Sequence, residues 1–348
     1  MFTPKLRLFT RCLAATCTVV FAEIGRSAEG PTSFPITIVD SGGAYAAYYS
    51  DIISNLEAAG AAWARYVIGS GTLETEVVIT SAVAFAPGGS VTSGFLRNDG
   101  TRNIYEQGAT YELRTGIDPN GSEPDIRIFI NPDYLTQNLW FDPQPGQRTD
   151  AIPPNRTDAI SVFTHELGHA FLFNGWMHGT TGELPPDYMS TFDARVVFEG
   201  ENFYFIGSHA QAHYGSAVPV TFGNAFHLGN AAPRPGEDLL PDLMNGVVFS
   251  YQTRYRISPL DVEIARDCEM AVTQFMEITA ITRLTNGGIV IAGLGVPTGT
   301  HTIQASDDLT QNFAPVASER ADRDGSFQFT ETDATPPPRR FYQMEYSL

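Results

Sequence analysis

Five consecutive residues, His165-Glu166-Leu167-Gly168-His169, carry the clearest chemistry in the chain. They read H-E-x-x-H. On a helix, imidazoles at i and i+4 stand one turn apart on the same side and can converge on one zinc ion. A third protein ligand would leave the fourth position to water, whose pKa the metal lowers while it polarises a bound carbonyl. Glu166, next to His165, can reach that water and act as general base. The competing reading is a buried helix that happens to carry two histidines.

The surrounding residues suit a helix. Asp150 to Arg156 is polar and broken by Pro153 and Pro154, and Thr157 or Asp158 can then cap the run Ala159 to Phe173. Asn174-Gly175 predicts a left-handed stop. Ile160, Phe163, Leu167 and Phe171 form an apolar stripe beside the two histidines. Upstream, Phe34 to Asp40 reads as a strand. Tyr48 to Val67 has helical spacing, with Ile52, Leu56, Ala59 and Trp63 on one side and Gly60 as its weak point. Leu73 to Phe85 is β-rich, Pro87-Gly88-Gly89 breaks it, and Asp125 to Ile130 alternates before Asn131-Pro132. This order suggests an α/β layer with the metal site at the sheet's edge, in a chain that is α+β overall.

Other residues invite weaker readings. Asp118 to Asp125 (Asp-Pro-Asn-Gly-Ser-Glu-Pro-Asp) offers oxygens for Ca2+, although two prolines and an incomplete ligand series fit a solvated turn better. His209 and His213 are four apart without a following glutamate, and read as solvated residues on a short helix. Met177 to Tyr188 is loop-like, and Thr191 to Phe205 reads as a hairpin around Gly200-Glu201-Asn202. Ala217 to Gly246 is rich in Gly, Pro and Asn and holds His227 and Met244. Ser258 to Met270 predicts a helix capped by Ser258, with Pro259 at its first position.

Composition sets the address. A hydrophobic content of 43% over 348 residues is enough for a core and leaves room for two domains. The formal charge of -18 should repel phosphate backbones, so no nucleic-acid partner is expected. Lys5, Arg7 and Arg11 precede the apolar run Cys12 to Phe21, the pattern of a secretory signal cleaved after Ala22, with Ala28 as second choice. About ten apolar residues are too few to span a bilayer, so no membrane span is expected. Cleavage would remove those three positive charges and no acidic residue, taking -18 to -21. It would also leave Cys268 as the lone cysteine, expected to be buried, with no internal disulfide. The expected division is 1–22 signal peptide, 23–271 catalytic domain and 272–348 accessory domain.

The motifs together resemble the metzincin clan of zinc metallopeptidases, within it the leishmanolysin-like branch. His165 to His169 resembles the zinc helix. Phe205-Ile206-Gly207, Ala210, Tyr214-Gly215 and Val218-Pro219-Val220 resemble the segment before the third ligand, and His227 follows. Asp242-Leu243-Met244-Asn245 resembles the Met-turn, and Arg256-Ile257-Ser258-Pro259-Leu260-Asp261 the start of the closing helix. The resemblance covers roughly Phe34 to Cys268. It departs from the compact pattern, because Leu172 and Gly175 occupy the places of the expected glycine and third histidine. In the leishmanolysin-like branch an insertion separates the second and third histidines, and His227 fits that layout. His178 is the rival, since Gly175-Trp176-Met177-His178 keeps a G-x-x-H ending. Met244 would form a hydrophobic floor beneath the metal. Gly246 stands where some relatives carry a tyrosine, so no tyrosine ligand carries over.

The resemblance implies a twisted mixed sheet with an active-site helix and a Met-turn subdomain. It also implies a secreted Zn2+-dependent endopeptidase acting on protein or peptide substrates, with Glu166 as base and His165, His169 and His227 as ligands. A gluzincin whose third ligand is Glu199 or Glu201 is a weaker enzymatic alternative. A catalytically idle adhesion or glycan-binding protein built on the same fold is the alternative from another class. From Phe275 to Leu348 the β-rich runs alternate with Gly, Asp and Pro turns, the signature of a small all-β sandwich. That part resembles accessory modules of secreted bacterial proteins, implying glycan or cell-surface contact or a purely stabilising role.

Overall fold

The computed structural model describes residues 33–145 and 151–273, and 276–346 apart from 286, 296–299, 309–311, 323–325 and 333–339. Of residues 6–13 and 16–22 it describes the backbone alone. The chain is α+β and divides into two compact units. One comprises 29–212 and 216–273; the other comprises 274–348 with 1–28 and 213–215.

The first unit is built on a four-stranded sheet. Ile36–Asp40, Thr75–Ile79 and Ile126–Ile130 lie parallel in that order, and the short strand Gly88–Ser90 pairs antiparallel with Ile126–Ile130 at the edge. Alternation sends Val77, Ile79, Ile126, Ile128 and Ile130 into the core. The site helix, Ala159–Phe171, lies against the edge strand. The Tyr49–Trp63 helix packs along it and buries Ile52, Leu56, Ala59 and Trp63, the face its spacing predicts. Gly60 is there for a reason: a Cβ would come within 2.8 Å of the Phe34 ring. Trp63 Nε1 donates to Thr164 O at 2.8 Å and its ring meets Phe171 edge-on, which locks the two helices together.

Several expectations need correction. The Tyr48–Val67 helix stops at Trp63, and Val67 instead bridges to Val272. The Leu73–Phe85 strand covers only Thr75–Ile79, because its two partners are each five residues long and pairing runs out. Val83 and Phe85 lie in a turn held by Asn131, whose amide groups donate to Val83 O and Phe85 O. Pro87-Gly88-Gly89 is not merely a break, since Gly88 and Gly89 begin the edge strand. Asn174-Gly175 forms no left-handed stop; neither residue has positive φ, and the amides of Leu172 and Phe173 close the helix on Gly168 O. Gly175 answers a different need, as a Cβ there would run into the Asp193 carboxylate. The helices Gly108–Thr115 and Pro132–Gln137 and the strands Ser93–Asn98 and Asn103–Gln107 carry no strong period and were not expected.

Downstream, the hairpin is present as Val196–Glu199 and Asn202–Phe205, with Gly200 and Glu201 both at positive φ. His209, on the short helix Ser208–Tyr214, is half exposed and pairs with Asp267 at 2.8 Å, so it is less free than a solvated residue. The closing helix Pro259–Asp267 starts on a Ser258–Asp261 capping box. Cys268 is buried just beyond it, and burial pushes its thiol well up.

The second unit is a pair of antiparallel sheets. Glu277–Arg283, Ile289–Leu294 and Ser326–Glu331 form one; Thr300–Ser306, Ala314–Arg320 and Phe341–Tyr346 belong to the other. Ile278, Ile291 and Phe327 from the first meet Ile303, Tyr342 and Met344 from the second in one core. The hairpin Leu6–Leu13 and Thr16–Ala22 extends the second sheet through Leu6 and Arg7. The alternative cleavage position Ala28 lies outside the described residues, as does Phe275. Among the described residues no helix is long and apolar enough to cross a membrane.

A buried charge cluster fixes where the site helix begins. Asp158 caps it by accepting from Ser161 N at 3.0 Å. Arg254 holds Asp158 at 2.7 Å and Asp142 at 2.8 Å, and both carboxylates are almost wholly buried. Arg254→Ala would strand two buried charges, so it should cost about 3–5 kcal/mol in urea unfolding. A loss below about 1 kcal/mol would mean that the cluster behaves as a solvated surface pair.

Candidate metal centre

The site helix presents His165 and His169 toward one point, and a distant loop brings His227 to the same place. The three Nε2 atoms form a nearly equilateral triangle: 3.0 Å from His169 to His165, 3.0 Å from His169 to His227 and 3.1 Å from His165 to His227. The second nitrogens of the helix pair are committed elsewhere. His165 Nδ1 lies 2.7 Å from Leu243 O, and His169 Nδ1 lies 2.6 Å from Phe173 O. A backbone carbonyl only accepts, so Nδ1 must carry the proton in both rings and Nε2 presents a lone pair.

His227 is delivered by short-range pairing. Its flanks are tied on both sides, with Thr221 N donating to His227 O at 2.9 Å and Leu228 N to Met244 O at 2.7 Å. Its Nδ1 makes no hydrogen bond of good geometry, although the Asn224 backbone is near enough to favour the protonated ring slightly. Gly246 is required beside it: a Cβ there would approach His227 Cβ and Thr221 Oγ1 to 2.6 Å. Gly246 is thus a packing necessity for the third histidine.

The turn Asp242–Asn245 lies beneath the pair on the helix. Met244 is fully buried, and a Cβ on Gly168 would meet its Sδ at 2.7 Å, so glycine in the motif is what lets the methionine close in. Asp242 shapes this turn, accepting from Met244 N at 2.8 Å and from Ser258 Oγ at 2.8 Å. It thereby links the turn to the cap of the closing helix. Burial raises the pKa of Asp242; burial and then the Asp242 charge push Asp261 well up. Phe249 closes the other side, its ring edge-on to His165 at 5.1 Å.

Burial disfavours a protonated cluster. Burial lowers His165 to about 3 and His169 to about 4, with like-charge repulsion from His169 adding to the first; His227 is held well below its usual value by burial and both neighbours. At neutral pH the cluster is therefore neutral, and the Nε2 lone pairs of His165 and His169 face each other and His227 Nε2 at about 3 Å. The two fixed lone pairs repel at that range, and a cation between the three rings would remove the conflict. A tetrahedral zinc ion with bonds of about 2.0–2.1 Å needs nitrogens roughly 3.3 Å apart, so small relaxation would seat it. The residues fit the metal.

Glu166, also buried, accepts from Gly88 N of the edge strand at 2.6 Å. Burial pushes its carboxyl well above the ordinary range, with the Gly88 amide opposing. A cation beside it would act in the same direction as that amide. Gly88 permits the approach, since a Cβ there would lie 3.0 Å from Glu166 Cβ and 2.9 Å from Ile128 Cγ1.

Of the candidates read from sequence, the structure gathers His165, His169 and His227 into one group able to hold a metal ion. His178 stays away: it is exposed, and its Nδ1 faces the amides of Thr180 and Thr181 at 3.4 and 3.3 Å. Glu199 and Glu201 sit on the exposed hairpin and do not join. In the sequence Gly88 reads only as part of a break, and Asp242 and Leu243 only as part of a turn; their roles at the site, like that of Phe249, carry no sequence signal because each acts through long-range contact. No family model, curated protein or solved structure matches the chain. Elemental analysis should find one metal per chain, lost in His227→Ala and kept in His178→Ala. The reverse pattern would remove His227 from the ligand set.

Proposed function

We propose that this chain is an exported zinc-dependent endopeptidase, metzincin-like and closest in layout to the leishmanolysin-like branch. The observation that carries the reading is the convergence of three imidazole nitrogens, with Glu166 next to His165 on the same buried helix and Met244 packed where Gly168 leaves room. Zinc bound there would supply a Lewis acid with an open position, activating water and polarising a carbonyl.

The chain's own residues do the rest. His165, His169 and His227 bind, and the carbonyls of Leu243 and Phe173 hold two of those rings in the ligating tautomer. The carboxylate of Glu166 takes a proton from the attacking water and returns it to the departing amine nitrogen. The edge strand Gly88–Ser90 ends the sheet beside Glu166. An extended substrate could add to that edge, so that main-chain hydrogen bonds align its carbonyl with the site. Export rests on the N-terminal sequence, and the C-terminal unit is read as an accessory module of the same secreted protein.

The test compares zinc-loaded parent with Glu166→Gln on a mixed library of quenched fluorescent peptides. The parent should cleave within chains, and the variant should keep its zinc while losing about 10²–10⁴-fold in rate. Equal cleavage by the variant would remove Glu166 as base. A zinc-loaded parent that cleaves nothing would favour the idle adhesion reading.

A further inference from the structure

Far from the histidines in sequence, three carboxylates from two segments meet at one place. Glu112 comes from the Gly108–Thr115 helix, and Asp118 and Asp125 from the loop that leads to the central strand Ile126–Ile130. One oxygen of each lies within 4.8 Å of the others.

The two buried members are only half satisfied. Glu112 Oε1 accepts from Thr72 N at 2.9 Å, and Asp125 Oδ2 accepts from Glu74 N at 2.9 Å. Glu112 is 5% exposed and Asp125 1% exposed, yet Glu112 Oε2 and Asp125 Oδ1 meet no donor. What faces them is more carboxylate: the side chains of Glu112 and Asp125 adjoin each other, and that of Glu74 adjoins Asp125. The charges acting on the pair are all negative, from Asp118, Glu74 and one another. The loop is prearranged around this point. Asp118 Oδ1 accepts from Asn120 N at 2.8 Å and Gly121 N at 2.7 Å, leaving its other oxygen available. Asn120 Oδ1 is likewise buried without a donor. Gly71 allows the close approach of Glu112, whose Oε1 would lie 2.9 Å from a Cβ there.

We propose that Glu112, Asp118 and Asp125 form a calcium site that ties the Thr72–Glu74 segment to the Asp118–Asp125 loop. The donors are all oxygen, which suits a hard cation and not zinc. Calcium takes oxygen ligands in a flexible, irregular shell at about 2.3–2.6 Å, which carboxylates from two segments can supply; magnesium demands a near-ideal octahedron at about 2.0–2.1 Å. Exposed Asp118 leaves one side for water. The bound ion would clamp together the lead-ins to two adjacent parallel strands, Thr75–Ile79 and Ile126–Ile130. The rival is a proton shared by the buried pair, since burial, ahead of the neighbouring carboxylates, pushes Asp125 up to about 8.

The full chain, stripped of calcium on chelating resin and reloaded with one zinc, decides between them. Equilibrium dialysis against about 2 mM calcium should give one ion per chain and a raised thermal midpoint, which equal magnesium does not reproduce. Asp118→Asn keeps the loop's amide bonds and should fold, while its calcium affinity falls at least tenfold. Glu166→Gln should bind calcium like the parent, so this result stands apart from peptidase activity. No bound calcium, or unchanged affinity in Asp118→Asn, would overturn the site. An Asp125→Asn variant with a raised midpoint, in a chain that binds no calcium, would assign the pair to a shared proton.

Discussion

Three imidazole Nε2 atoms gathered within 3.0–3.1 Å of one another, two of them fixed with their lone pairs presented, form the constraint around which the rest is organised. Left to themselves, neutral acceptors at that distance would turn away, and a solvated cluster would take up protons. Here neither escape is open. Hydrogen bonds to Leu243 O and Phe173 O fix two rings, and burial holds all three pKa values far below neutrality. Two fixed lone pairs are thereby set against each other, a conflict that a bound cation would resolve.

The scaffold holds this arrangement from several sides. The start of the site helix is nailed by Asp158 and Arg254, its middle by Trp63 on Thr164 O, and its end by Thr110 Oγ1 on Phe171 O at 2.6 Å. Every anchor comes from a different segment. The turn carrying Met244 is fixed with similar redundancy through Asp242, Ser258 and the bridge between Leu228 and Asn245. Glycine is the recurrent concession: Gly88, Gly168 and Gly246 each let a functional side chain come closer than a Cβ would permit. Rigid support of this kind keeps ligands within the small tolerance that metal chemistry demands.

What the sequence made legible follows from how local each signal is. The i, i+4 histidines, the Asp158 cap, the apolar face of the Tyr49–Trp63 helix and the Ser258–Asp261 cap depend on residues within a turn or two, and all are found. Choosing between His227 and His178 needed tertiary pairing. The nearer G-x-x-H spacing favours His178 in one dimension, yet its ring is spent on a local turn. Glu112 was invisible because its helix is short and weakly patterned, so the acidic loop looked like a solvated turn with an incomplete ligand set. The Asn174-Gly175 stop failed for a related reason: Gly175 is selected by the neighbouring Asp193 and not by helix termination.

The most direct test is zinc K-edge X-ray absorption on the chain loaded with one equivalent of zinc. Three imidazole nitrogens and one oxygen donor at about 2.0–2.1 Å are predicted, with one imidazole lost in His227→Ala. A sphere with fewer than three imidazoles, or one unchanged by His227→Ala, would contradict the convergence on which this reading of the fold depends.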